Sequence, residues 1–109
     1  MYKFTLKIKG EDREFKRDNF FLRQAILANK HQIVADEFYQ KEHPTAEEFE
    51  DLQTDLAKTI SEIFDGQFTP DEFIDGLTIE NQHVADDVLI LALGGKLEKE
   101  EKQDDEKKA

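Results

Sequence analysis

The chain of 109 residues contains no cysteine, which excludes disulfides, thiolate metal sites and cysteine nucleophiles. No run of about 18 apolar residues is present, and the opening Met1-Tyr2-Lys3-Phe4 lacks the apolar region of a signal peptide. A cytosolic setting is therefore expected. Glycine-rich phosphate loops are missing too, since Gly94-Gly95-Lys96 has neither the spacing nor the Ser/Thr of one. Positive charge is scarce where it would matter for nucleic acid. Residues 43–95 carry thirteen Asp/Glu against Lys58 alone, a net of −12 within a total of −11. Residues 1–20 run the other way, with six Lys/Arg against four acids, a net of +2. Such a body repels nucleic acid and anionic membrane, keeps the chain soluble, and favours a basic partner surface.

What is present is local order of a recognisable kind. Tyr2, Phe4, Leu6 and Ile8 alternate with Lys3, Thr5, Lys7 and Lys9, the period of a strand with one apolar face. Gly10-Glu11-Asp12 reads as a turn and Arg13–Arg17 as a return strand with Phe15 inward. An isolated hairpin is marginal in water, so its apolar face is expected to pack on helices. Pairing with another chain's edge is the alternative, which the outward lysines discourage. Asp18 or Asn19 is a candidate cap for a helix running to about Gln40, with Leu22, Ala25, Ile26, Ile33, Val34 and Phe38 as its apolar stripe. A break near Ala28-Asn29-Lys30 is compatible with the pattern. Phe20-Phe21 are expected in the core.

His43-Pro44 interrupts this helix, and Thr45-Ala46-Glu47-Glu48 is a capping box opening the next, from Ala46 to Asp65. Its apolar face is Phe49, Leu52, Leu56, Ile60, Ile63 and Phe64. That helix is the best-defined element, and the segment Ile63–Leu77 that follows is also well specified. Gly66 suits a helix C-terminus, Thr69-Pro70-Asp71-Glu72 is a second capping box with Pro at the first helical position, and Phe64, Phe68 and Phe73 surround the turn as an aromatic cluster. A short helix from Pro70 to about Ile74 follows. A last helix carries Val84, Val88, Leu89, Leu91, Ala92 and Leu93, has Asp86-Asp87 facing water, and stops at Gly94-Gly95. The fold predicted is α+β, mainly α: an N-terminal β-hairpin followed by a bundle of about four helices over residues 1–95. Residues 96–109 form a charged C-terminal tail, solvated or disordered.

No catalytic or metal constellation accompanies these elements. Gly66 through Phe73 matches the second half of an EF-hand loop, but the first half would place Ser61 and Ile63 at ligand positions, and Ile63 offers no oxygen. His31, His43 and His83 lack ligand spacing. Asp71-Glu72 and Asp86-Asp87 are helix neighbours whose side chains diverge, unlike a catalytic pair that shares a cleft. The expectation is a protein that is not an enzyme and needs no cofactor or metal.

The order of elements resembles the tail assembly chaperones of long-tailed, siphovirus-type bacteriophages that infect Gram-positive hosts. The likeness spans about residues 2–95. It is carried by the lysine-rich hairpin, a helix, an acidic helix, and the turn Ile63-Phe64-Asp65-Gly66-Gln67-Phe68-Thr69 followed by Asp71, Phe73 and Asp75-Gly76-Leu77. The resemblance implies a non-enzymatic viral protein that acts in the host cell cytoplasm and is absent from the mature virion. Its implied partner is the tape measure protein, a long apolar helical chain kept soluble while tail tube subunits assemble around it. Many such chaperones are also made as a longer product by ribosomal frameshift, which would reach the tail tube protein. Gly94-Gly95-Lys96 permits a G-GGA-AAA or G-GGA-AAG slippery heptamer at the end of the predicted domain; a helix-stopping glycine pair is the plainer account.

A chaperone of this kind needs an apolar groove and a charged exterior. The candidate partner-binding residues are Phe49, Leu52, Phe68, Phe73 and Leu91, on or near the helices over 46–65 and 82–93, each also a natural core residue. The candidate oligomerisation edge is Tyr2, Phe4, Leu6 and Ile8, in line with the multimers some relatives form. Two other classes fit the composition: an acidic DNA-mimic inhibitor of a host nucleic-acid-binding protein, and a structural or adaptor tail protein.

Overall fold

A computed structural model describes residues 1–97, so the predicted charged tail lies, from residue 98 onward, outside the described residues. In chain order the elements are β1 (Tyr2–Ile8), β2 (Glu11–Arg17), α1 (Leu22–Tyr39), α2 (Ala46–Ile63), α3 (Pro70–Gly76), a 3-10 turn at Ile79–Asn81, and α4 (Val84–Ala92). A two-stranded antiparallel hairpin followed by four helices is the architecture the sequence predicts.

The hairpin closes more tightly than expected. Lys9 and Gly10 both adopt positive φ (54° and 79°), a two-residue type I′ connection whose twist suits the strands. Ile8 therefore pairs with Glu11 and Phe4 with Phe15, and β2 begins at Glu11 rather than Arg13. Phe4, Leu6, Ile8 and Phe15 point inward and are buried.

Phe4 occupies the centre of the core. Its ring meets those of Phe64, Phe68 and Phe73 edge-on, with centroids 5.1, 5.6 and 6.0 Å away. Edge-to-face contact sets the positive rim of one ring against the negative face of another. The predicted aromatic cluster around the α2–α3 turn is thus present, and the hairpin inserts a ring into it. Ile60, Ile63, Val84, Val88 and Leu89 complete the core. α3 lies close on β1: a Cβ at Gly76 would stand 2.6 Å from the Lys7 carbonyl oxygen, so this crossing requires a glycine.

The turn itself is built by backbone hydrogen bonds. The Gly66 amide donates to the Ser61 carbonyl at 2.9 Å and the Asp65 amide to Glu62 at 3.0 Å, the paired bonds of a Schellman motif. Asp65 (φ 56°) takes the left-handed position there, with Gly66 (φ 72°) next; the sequence points to Gly66 alone. Arg17 holds this end. Its guanidinium donates to the Ile63 carbonyl at 3.0 Å and to Asp65 at 2.6 Å, placing a cation on the carbonyl-rich end of α2. Thr45 and Thr69 cap α2 and α3 as predicted, each reciprocated by the glutamate three residues on. α4 ends in the same kind of motif at Gly94-Gly95.

Several local expectations require correction. α1 is continuous through Ala28-Asn29-Lys30, and its cap is Phe21, whose backbone amide donates to the Gln24 side chain at 2.8 Å. Phe20 does pack on the core, but Phe21 is 63% exposed. Asp86 faces water as predicted, whereas Asp87 is half-buried and accepts a hydrogen bond from the Tyr2 hydroxyl at 3.1 Å.

Candidate interaction surface

The largest departure from expectation is the orientation of α1. Its buried residues are Gln24, Ala28, His31 and Ala35, spaced three or four apart and hence on one face. They are small or polar. His31 uses its burial to meet Asp55 of α2, Nδ1 to Oδ2 at 2.8 Å. Small side chains let α1 and α2 approach closely, and the His–Asp contact satisfies the polar group that the approach buries. At about 100° per residue, Leu22, Ile26 and Ile33 fall on the opposite face. Leu22 is 76% and Ile33 61% exposed, and Ile26 is also exposed. The residues read as a core stripe are therefore mostly a solvent stripe. Leu22, Ile26, Asn29 and Ile33 alternate steps of four and three, the repeat with which one helix lies along another.

A second apolar feature lies at the end of the α1–α2 pair that residues 40–45 connect. There Phe38, Tyr39 and Phe49 form an aromatic group, with Phe38 centroids 5.2 Å from Tyr39 and 6.1 Å from Phe49. Tyr39 is 72% and Phe49 52% exposed. Two grooves flank this end. One, of about 370 Å³, has Val34, Phe38 and Leu52 as its apolar residues and Glu37, Glu48, Asp51, Asp55 and Lys41 around them. The other, of about 440 Å³, runs between Tyr39, Leu56, Phe73, Ile74, Leu77 and Ala85.

Each candidate from the sequence now has a place. Phe49 is exposed near the connection between α1 and α2. Leu52 and Phe73 are buried but line the two grooves. Phe68 is sealed within the core, and Leu91 is half-buried on α4, outside both grooves. The face of the candidate edge turns inward: Phe4, Leu6 and Ile8 are buried in this chain's own core, and Tyr2 is half-buried. What sequence reasoning missed is α1. The alternative stripe was legible as Gln24-Ala28-His31-Ala35, but without a partner surface the more apolar stripe reads as the buried one.

A family model described as phage tail chaperone protein matches residues 1–109. The chain belongs to that family. No curated protein and no solved structure matches it. A phage tail chaperone has a non-enzymatic role and binds other tail proteins, and an exposed apolar helix face is what such binding requires. Among the described residues, no helix is long and apolar enough to cross a membrane.

Proposed function

We propose that this chain is a tail assembly chaperone that binds the tape measure protein and keeps it soluble in the host cytoplasm until tail tube subunits enclose it, leaving the mature virion without the chaperone. The observation that carries this reading is the inverted packing of α1. A helix that buries its small or polar face and exposes Leu22, Ile26 and Ile33 in one line on the other, four and then seven residues apart, offers a seam to an apolar helix. Tyr39 and Phe49 add a second exposed apolar group where α1 and α2 are joined. The acidic exterior supplies solubility to a complex whose client lacks it.

The test is co-expression with the tape measure protein of the same phage, followed by affinity capture and size exclusion. The parent chain is expected to hold the client soluble and co-elute with it in high salt, as apolar contact does. The triple variant Leu22→Ser, Ile26→Ser, Ile33→Ser is expected to fold and to lose the client. A client that stays insoluble with the parent chain overturns the reading, as does finding this protein in purified particles. A complex with a host DNA-binding protein that dissolves in salt would point to the DNA-mimic class instead.

A longer frameshift product that also engages the tail tube protein belongs to the same proposal. Its support is that α4 closes at Gly94-Gly95, so a slip there would extend a finished domain. A gene lacking a slippery heptamer at the Gly94-Gly95-Lys96 codons would remove it.

A further inference from the structure

We propose that the groove between α1 and α2 selects client segments that carry lysine or arginine beside their apolar residues. This rests on the chaperone reading and names the client chemistry that the groove recognises. Val34, Phe38 and Leu52 form its apolar part, and Val34, itself partly exposed, joins it to the α1 stripe. Four carboxylates surround them: Glu37, Glu48, Asp51 and Asp55. Two are already engaged, Glu48 with Lys41 and Asp55 with His31. Glu37 and Asp51 have no ion-pair partner among the described residues. One lysine among four carboxylates leaves a local excess of negative charge over an apolar floor. A side chain with a long apolar stem and a cationic head fits both, burying the stem and leaving the charge at the rim. A neutral apolar segment would fill the floor and leave the carboxylates facing one another across it; an acidic segment would be repelled.

The experiment uses two synthetic amphipathic helical peptides, identical except that lysine along the flank of a leucine face is replaced by glutamate. Binding is read by fluorescence anisotropy and located by amide chemical shifts in the full chain. The lysine peptide is expected to bind at least about tenfold tighter, with shifts concentrated over residues 34–55. The variant Glu37→Gln, Asp51→Asn is expected to weaken it on the order of tenfold. A control with the same change in net charge, Asp75→Asn, Glu80→Gln, removes exposed acids that do not line the groove and is expected to leave binding near the parent value. Equal weakening by both double variants would reduce the effect to bulk charge and overturn the inference. Equal affinity for the two peptides, with shifts along Leu22–Ile33, would overturn it while leaving the chaperone reading intact. Charge-dependent binding in the groove, with a client that stays insoluble in co-expression, would uphold the groove's selectivity and remove the chaperone reading.

Discussion

α1 and α2 are both 18 residues long and lie against each other, yet they are assembled on opposite plans. α2 opens on a complete capping box, puts two glutamates in its first turn, and buries Leu52, Ile60 and Ile63. α1 opens on a phenylalanine, has no acid in its first turn, and buries Gln24, Ala28, His31 and Ala35 while Leu22 and Ile33 face water. The comparison separates two uses of an apolar stripe. In α2 it holds the domain together. In α1 it is left available, and the helix stays in place through close approach of small residues and one half-buried His–Asp contact.

The sharpest way to break this comparison is to truncate an isoleucine in each helix. Ile60→Ala is expected to cost about 2–5 kcal/mol in chemical denaturation, because the cavity it leaves is enclosed. Ile33→Ala is expected to change stability by no more than about 0.5 kcal/mol, since water already covers that side chain. A large loss from Ile33→Ala would mean that the α1 stripe is structural after all. Next in size, Gly76→Ala drives a Cβ against the Lys7 carbonyl and is expected to cost about 1–3 kcal/mol, measured by the same denaturation.

The caps should respond in opposite directions. Thr45→Ala removes a hydroxyl that accepts from the Glu48 amide at 3.1 Å and is expected to lose about 1 kcal/mol. Phe21→Ser supplies the side-chain acceptor that α1 lacks and is expected to add a few tenths to about 1 kcal/mol, seen as a higher thermal midpoint.

A further effect, tied to pH, concerns the contact between the hairpin and α4. Burial first, and then the charge and hydrogen bond of Asp87, push the Tyr2 phenol well above its usual 10.0. The folded chain keeps that proton after the unfolded chain has released it. Stability is thus unaffected by this group below pH 10.0 and declines as pH rises beyond it. Tyr2→Phe is expected to cost about 1 kcal/mol at neutral pH and to flatten the alkaline decline; an unchanged slope in denaturation curves above pH 10.0 would refute the assignment.

The parts of the fold legible in advance were those settled by neighbours in sequence. Alternation in Tyr2–Ile8 specifies a strand, Thr45 and Thr69 with their glutamates specify helix starts, and the three phenylalanines around Gly66 can hardly avoid meeting. Even here the turn sits elsewhere than at Gly10-Glu11-Asp12, because Lys9 takes a left-handed position that an isolated reading assigns to glycine, and β2 starts two residues before Arg13. The candidate site was less legible. Phe49 and Leu52 stand three residues apart on the same helix, one half in water and one buried, a difference that spacing on one helix does not express.

By itself the sequence determined the kinds of element, their order, the acidic exterior and the aromatic centre, since each follows from local spacing and composition. Only the tertiary structure decided which of α1's two stripes would be covered. Periodicity says that a face is apolar, whereas burial depends on how near the neighbouring backbone can come. There Ala28 and Ala35, with His31 reaching Asp55, admit α2 more closely than leucine and isoleucine would.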